Sequence, residues 1–371
     1  MTPRPFSFGQ LALPLALLLG ACSSSSPSDG AAGAAGSMQP SAGAPSAGSA
    51  GAISSTGGAS AGSAGAVAIA GSGGSSAGAA GSSGGGSSGA GTAGSAGAAG
   101  GASTAQRSTG CGMLPTQSLA AYAKFSETIT GVDAKWAPRN YYVRLPDTYD
   151  PMRAYPTVFV GPGCGGTGDQ GIPIFNASKS DAIVIGLDPD PAGEGRQCFN
   201  SESYPDPEEP YFNATLKAVE AAYCVDKSKL FIEGFSSGSW LANLIGCVDG
   251  DVIRGQGNAS GCMQGAHPDC KGPIAYMAAH DVADPNNSYQ CGKDNRDRIV
   301  KLNGCTDQTI PYDPGPDIVV KAPVTVSCVQ YVGCKPGYPV VWCTTTNLGH
   351  NDQVGTGLST FGFWKFWMSL P

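Results

Sequence analysis

The chain of 371 residues carries a formal charge of −7, with its acidic side chains scattered and no basic cluster. That pattern speaks against nucleic acid as a partner, since phosphate contacts need a concentrated Lys/Arg surface. Residues 23–109 are almost entirely Gly, Ala and Ser and cannot offset the entropy of ordering, which leaves about 261 residues, 111–371, as one large domain.

The chain opens on an address. Arg4 is followed by a short apolar run, Leu11 to Leu19, too short to span a bilayer as a helix and better read as a signal segment. Leu19-Gly20-Ala21-Cys22 resembles a bacterial lipobox, which predicts a lipoprotein signal peptide over 1–21 and lipidation at Cys22. An ordinary cleavage site followed by secretion is the alternative. Residues 22–110 are then a disordered Gly/Ala/Ser-rich linker with an r.m.s. span of roughly 50 Å, and 111–371 is the working domain, tethered to a membrane only through its lipid. Ser23 rather than Asp after the Cys points to the outer membrane or cell surface. Removing Cys22 from the 13 cysteines leaves an even number, all in the domain, which predicts up to six disulfides of open connectivity. A zinc site at Cys262, His267 and Cys270 is the weaker reading, because no fourth ligand follows at suitable spacing.

Within the domain, strands are predicted at Tyr141–Leu145, Thr157–Val160, Ala182–Leu187, Leu230–Glu233, Ile274–Ala279 and Val340–Cys343. Helices are predicted at Tyr211–Tyr223, Ser237–Val248, Asn295–Leu302 and Thr360–Met368. The runs at 183–187 and 274–279 are nearly all apolar, as strands covered on both faces should be. Alternation of such strands with helices predicts an α/β fold with a mainly parallel sheet flanked by helices.

Gly234-Phe235-Ser236-Ser237-Gly238 is a G-x-S-x-G, and so is Gly85-Gly86-Ser87-Ser88-Gly89 in the linker. Context separates them. The linker copy has neither base nor oxyanion donors, whereas Ser236 follows the strand Leu230-Phe231-Ile232 and opens a helix. That is the strand–turn–helix setting of the nucleophile elbow of an α/β-hydrolase. Ser236 is then the nucleophile and the Ser237 amide an oxyanion donor. A second donor should come from Gly161-Pro162-Gly163-Cys164-Gly165-Gly166, with the Cys164 amide the first choice and Gly165 the next.

Of three histidines, His350 lies after the last predicted strand and suits the chain order Ser, acid, His. His267 reads as a surface residue and His280 as a locally bonded one. Asp284 follows a strand end and fits the orienting acid, with Asp281 and Asp307 left open by spacing.

At these residues the domain resembles the feruloyl esterases of carbohydrate esterase family 1 and their polyhydroxybutyrate-depolymerase-like relatives. Tyr142-Val143-Arg144-Leu145-Pro146, Gly163-Cys164-Gly165-Gly166, Cys224-Val225-Asp226, Tyr331-Val332-Gly333-Cys334 and Gly349-His350 carry the likeness. Residues 278–284 resemble the family segment H-G-T-x-D, whose final Asp is the triad acid, and this favours Asp284 over Asp307. The chain departs from the family at Pro162, Asp281, Val282 and Ser239-Trp240, the last placing a bulky ring near the expected pocket.

The resemblance implies a monomeric serine carboxylic-ester hydrolase with a Ser236–Asp284–His350 triad and no metal or organic cofactor. The implied substrate is a feruloyl or related ester on plant cell-wall polysaccharide. Acetylxylan and polyhydroxybutyrate or another short-chain polyester are the alternatives. A non-catalytic cell-surface binding protein on a hydrolase scaffold is the reading from another class.

Overall fold

The computed structural model describes residues 105–371 apart from 118, 120–121, 129–137, 172–173, 180, 192–196, 200–205 and 266–268. The predicted signal peptide, Cys22, the linker up to residue 104, and His267 lie outside the described residues.

Ten strands form one sheet: β1 (Ala123–Glu127), β2 (Arg139–Arg144), β3 (Tyr155–Gly161), β4 (Ile183–Leu187), β5 (Val225–Phe235), β6 (Gly255–Ala259), β7 (Ala275–Asp281), β8 (Thr309–Pro311), β9 (Thr325–Tyr331) and β10 (Val340–Thr346). Their spatial order is β1-β2-β4-β3-β5-β6-β7-β10-β9-β8. The run from β4 through β10 is parallel throughout, while β1, β2, β9 and β8 pair antiparallel at the two edges. Among the described residues five α-helices accompany them: α1 (Ile174–Ser178), α2 (Glu208–Ala222), α3 (Ser237–Val248), α4 (Tyr289–Leu302) and α5 (Phe363–Met368). This is the α/β-hydrolase fold.

The central strands are apolar on both faces because both faces are covered. Alternate residues diverge: Phe159, Leu230 and Ile232 enter a core with Phe212, Leu241 and Ile245 of α2 and α3, while Val158, Val160 and Phe231 enter a second core with Phe363, Phe366 and Trp367 of α5. All twelve residues of α3 are buried, as a helix wedged between sheet and neighbouring helices must be. Arg139 of β2 is buried with its guanidinium 2.7 Å from Glu208 at the start of α2, 2.6 Å from the Asp188 carbonyl, and over the Tyr211 ring. It ties the antiparallel edge to α2 through contacts that satisfy its charge.

Two elements differ instructively from expectation. β6, with the sequence Gly255-Gln256-Gly257-Asn258-Ala259, lacks the β-branched residues that advertise a strand. It is buried in mid-sheet, and the rings of Trp367 and Phe363 occupy the space over Gly255 and Gly257. α4 begins at Tyr289, six residues before the predicted Asn295, capped by Ser288 Oγ accepting from Cys291 N at 3.2 Å. Its Gly292, a poor helix former, is required because a β-carbon there would overlap the His280 ring.

All twelve cysteines of 111–371 are paired: Cys111–Cys224, Cys164–Cys198, Cys247–Cys270, Cys262–Cys291, Cys305–Cys334 and Cys328–Cys343. Cys262 and Cys270, considered together as zinc ligands, enter different bridges.

Candidate active site

Ser236 sits between the carboxyl end of β5 and the first residue of α3, with φ 55° and ψ −117°. That backbone is strained for a residue with a side chain, and the surroundings hold it in place. Ser236 N donates to the Ala259 carbonyl at 3.0 Å, and the Ser236 carbonyl accepts from Ser239 and Trp240 in the first turn of α3. A β-carbon at Gly238 would overlap the Gly161 carbonyl, so the elbow closes only with glycine there. The turn thereby lies directly against the loop that leaves β3.

That loop, Pro162–Gly166, runs close over the nucleophile: a β-carbon at Gly163 would stand 3.4 Å from Ser236 Cβ. Cys164 is bonded to Cys198, so it offers no thiol. Gly165 N donates to the Gln197 carbonyl at 3.0 Å and is engaged there, which leaves the Cys164 amide as the better placed of the two expected donors. Ser237 N belongs to the first turn of α3, where amides have no acceptor within the helix.

The base and acid arrive from neighbouring parallel strands. His350 lies just past β10, its Nε2 2.9 Å from Ser236 Oγ and its Nδ1 3.0 and 2.9 Å from Asp284 Oδ1 and Oδ2. A carboxylate only accepts, so Nδ1 carries the proton and Nε2 of the neutral ring accepts from the serine hydroxyl. The imidazole packs against Phe235 with ring centroids 4.8 Å apart. Its loop is pinned by Ser260 Oγ donating to the Asn351 carbonyl and by Leu348 N donating to Asp281 Oδ2.

Asp284 lies just past β7. Its Oδ1 accepts from Asn286 N at 2.9 Å and Asn287 N at 3.0 Å, so the turn that follows the acid also fixes its rotamer. Asp281, left open from spacing, is buried but accepts from Thr345 Oγ1 and the Leu348 and Ala283 amides, supporting the histidine loop without reaching the histidine ring. Asp307 is exposed in the turn ahead of the edge strand β8. The structure thus brings together Ser236, His350 and Asp284 and leaves Asp307 outside.

His280 is closer to this chemistry than its sequence context implied. It is buried at the end of β7, with Nε2 2.9 Å from the Asn287 carbonyl and 3.3 Å from Asp284 Oδ2. Both partners accept, so its Nε2 carries a proton, and burial pushes its pKa below the usual histidine value. The Asp284 carboxylate therefore faces two imidazoles. The sequence signals were the four-residue spacing from His280 to Asp284 and the position of His280 at the head of the segment resembling H-G-T-x-D. Trp240 does not fill the pocket: its Nε1 donates to Asn287 Oδ1 at 3.1 Å, and Asn287 Nδ2 donates to the Ser260 carbonyl.

A parallel sheet with a Ser–His–carboxylate chain at the carboxyl ends of its strands is the arrangement of an α/β-hydrolase esterase. Comparison with known proteins gives the particular likeness. The chain is 28% identical over 256 residues to feruloyl esterase D of Neurospora crassa, covering 65% of this chain and 81% of that one. It is 26% identical over 276 residues to feruloyl esterase C of Emericella nidulans, covering 71% and 91%. In structure it aligns with a CE1 ferulic acid esterase from Anaeromyces mucronatus at TM-score 0.45 and 16% identity, over 67% of this chain and 90% of that one. No protein-family model matches the chain. Over its folded part the chain is feruloyl-esterase-like.

Proposed function

We propose that this protein is a serine carboxylic-ester hydrolase that releases ferulate or a related acyl group from plant cell-wall polysaccharide. The observation that carries the chemistry is the unbroken hydrogen-bonded chain Asp284–His350–Ser236, with its nucleophile on a strained elbow beneath a glycine-rich loop. The choice of acyl group draws on the curated relatives named feruloyl esterase.

In this reading His350 Nε2 takes the Ser236 proton as Oγ attacks the ester carbonyl. The Ser237 and Cys164 amides hold the oxyanion, and Asp284 stabilises the imidazolium without taking its proton. His350 then protonates the leaving alcohol, and water, activated by the same ring, hydrolyses the acyl-enzyme. Each role needs only side chains and amides of this chain.

Ser236→Ala should lower kcat on methyl ferulate by about 10⁴-fold or more while the melting temperature stays near that of the parent. A variant with near-parental turnover would remove Ser236 from the mechanism. We further propose export with lipidation at Cys22 and residues 22–110 as a tether for a monomeric catalytic domain over 111–371. Incorporation of radiolabelled palmitate that is abolished by Cys22→Ala tests the anchor.

A further inference from the structure

Next to the nucleophile lies a cavity of about 370 Å³, bounded by the Pro162–Gly166 loop, Phe235, Val354 and Phe363. Two polar side chains in its lining have no visible employment. Glu233 is 4% exposed and its Oε2 is buried without a hydrogen-bond partner. Ser359 is 8% exposed, and its Oγ is likewise buried and unpartnered. Buried polar groups left unpaired are costly, and an unpaired carboxyl in the lining of a cavity points to a ligand there rather than to packing.

The strand explains the placement. Glu233 precedes Ser236 by three residues on β5 and shares its face with Phe231 and Phe235, the face turned toward α5. Among the described residues no cation is paired with it, and desolvation raises its pKa well above the ordinary carboxylate value. Burial therefore favours its neutral form, which can both donate and accept a hydrogen bond. Such a group recognises a hydroxyl better than it recognises a charge.

Which part of the substrate enters follows from shape. A polysaccharide continues in both directions along the surface, whereas this cavity is a recess walled by the Pro162–Gly166 loop, Phe235 and Phe363, which suits a group that ends. The acyl group ends within a few ångströms of the carbonyl that Ser236 attacks, and a cavity of this size holds one substituted aromatic ring.

We propose that this cavity is the acyl pocket and that Glu233 sets its specificity by hydrogen-bonding a hydroxyl on an otherwise apolar, aryl-sized acyl group. The proposal rests on the esterase reading above and adds to it the residues that read the acyl group. An acyl group lacking the hydroxyl leaves the Glu233 carboxyl unpaired in the complex, and that deficit produces the discrimination.

The test is the ratio of kcat/KM for methyl 4-hydroxycinnamate to that for methyl cinnamate. Glu233→Leu should lower this ratio at least tenfold. Glu233→Gln, neutral and still a donor and acceptor, should stay within about threefold of the parent. A Leu variant with the parental ratio overturns the proposal. So does an effect that follows the alcohol, read by exchanging the methyl ester for an arabinosyl ester of the same acid.

The Ser236→Ala background separates the two readings, because binding there needs no turnover. Calorimetric titration should show tighter binding of the hydroxylated ester, lost with Glu233→Leu. Equal affinities for the two esters overturn the pocket assignment even where the parent hydrolyses both. A Glu233-dependent preference in a protein that hydrolyses neither ester keeps the pocket and removes the esterase reading.

Discussion

Replacing Asp284 with Asn tests the hydrogen-bond chain at its least exposed link. The two oxygens of Asp284 are not equivalent: Oδ1 accepts from the Asn286 and Asn287 amides, whereas Oδ2 lies 2.9 Å from His350 Nδ1 and 3.3 Å from His280 Nε2. An asparagine must place its carbonyl oxygen at the Oδ1 position, because an NH₂ group there would meet two backbone donors. Its NH₂ then takes the Oδ2 position 2.9 Å from His350 Nδ1, while the carbonyl oxygen 3.0 Å away is already engaged by two amides, so the accepting tautomer of Nδ1 is favoured. The imidazole proton moves to Nε2, which donates to Ser236 Oγ and can no longer take its proton. A wrong tautomer of this kind lowers kcat by about 10⁴-fold, or ~5 kcal/mol of transition-state stabilisation. Initial rates on a soluble ester measure this, with circular dichroism and the melting temperature reporting the fold. Turnover within tenfold of the parent would refute both the tautomer argument and the assignment of Asp284 as orienting acid.

His280 should make stability pH-dependent. Its folded pKa lies below the ordinary histidine value of 6.5, so the unfolded chain binds more protons between the two values. Stability from this group is therefore complete above about pH 6.5 and is lost as pH falls toward the folded pKa. His280→Gln should flatten that part of the melting-temperature profile; an unchanged slope would mean the imidazole is not held neutral. Removing the Cys164–Cys198 bridge by paired Ala substitutions frees a loop of 34 residues and should cost about 3–4 kcal/mol in the chain-entropy treatment. Denaturant melts measure that loss. The same variant should lose up to about 10²-fold in kcat if, as proposed, the Cys164 amide is an oxyanion donor that needs the loop held. Full activity in the variant would show that the hydrogen bond from Gly165 N to the Gln197 carbonyl suffices.

Much of the site was legible because its parts have local signatures. Ser236 follows an apolar strand and opens an apolar helix, and this context distinguishes it from Ser87 in a second G-x-S-x-G. His350 was reached by chain order, and Asp284 required resemblance, because Asp281 and Asp307 satisfy spacing as well. What stayed hidden depends on contacts between distant segments. β6 is a strand because its neighbours pair with it and aromatic side chains cover its glycines, not because Gly-Gln-Gly-Asn-Ala favours extended structure. The first half of α4 carries a glycine that only the His280 ring explains. The role of His280 itself appears only when its ring meets Asp284, and Glu233 reads as an ordinary strand residue until its carboxyl is seen unpaired beside a cavity.

The disulfide pattern has a consequence for how the protein is made. Only Cys164 and Cys198 are both consecutive in the chain and joined to each other; Cys247–Cys270 interleaves with Cys262–Cys291, and Cys305–Cys334 with Cys328–Cys343. An oxidant that joined cysteines in their order of emergence would link Cys247 to Cys262 and Cys305 to Cys328, both wrong. Cys111, the first of the twelve domain cysteines to emerge, must wait through 113 residues for Cys224. Correct pairing must therefore follow folding or be reached by exchange. A host that oxidises thiols quickly but isomerises disulfides poorly should yield mostly scrambled, inactive chains.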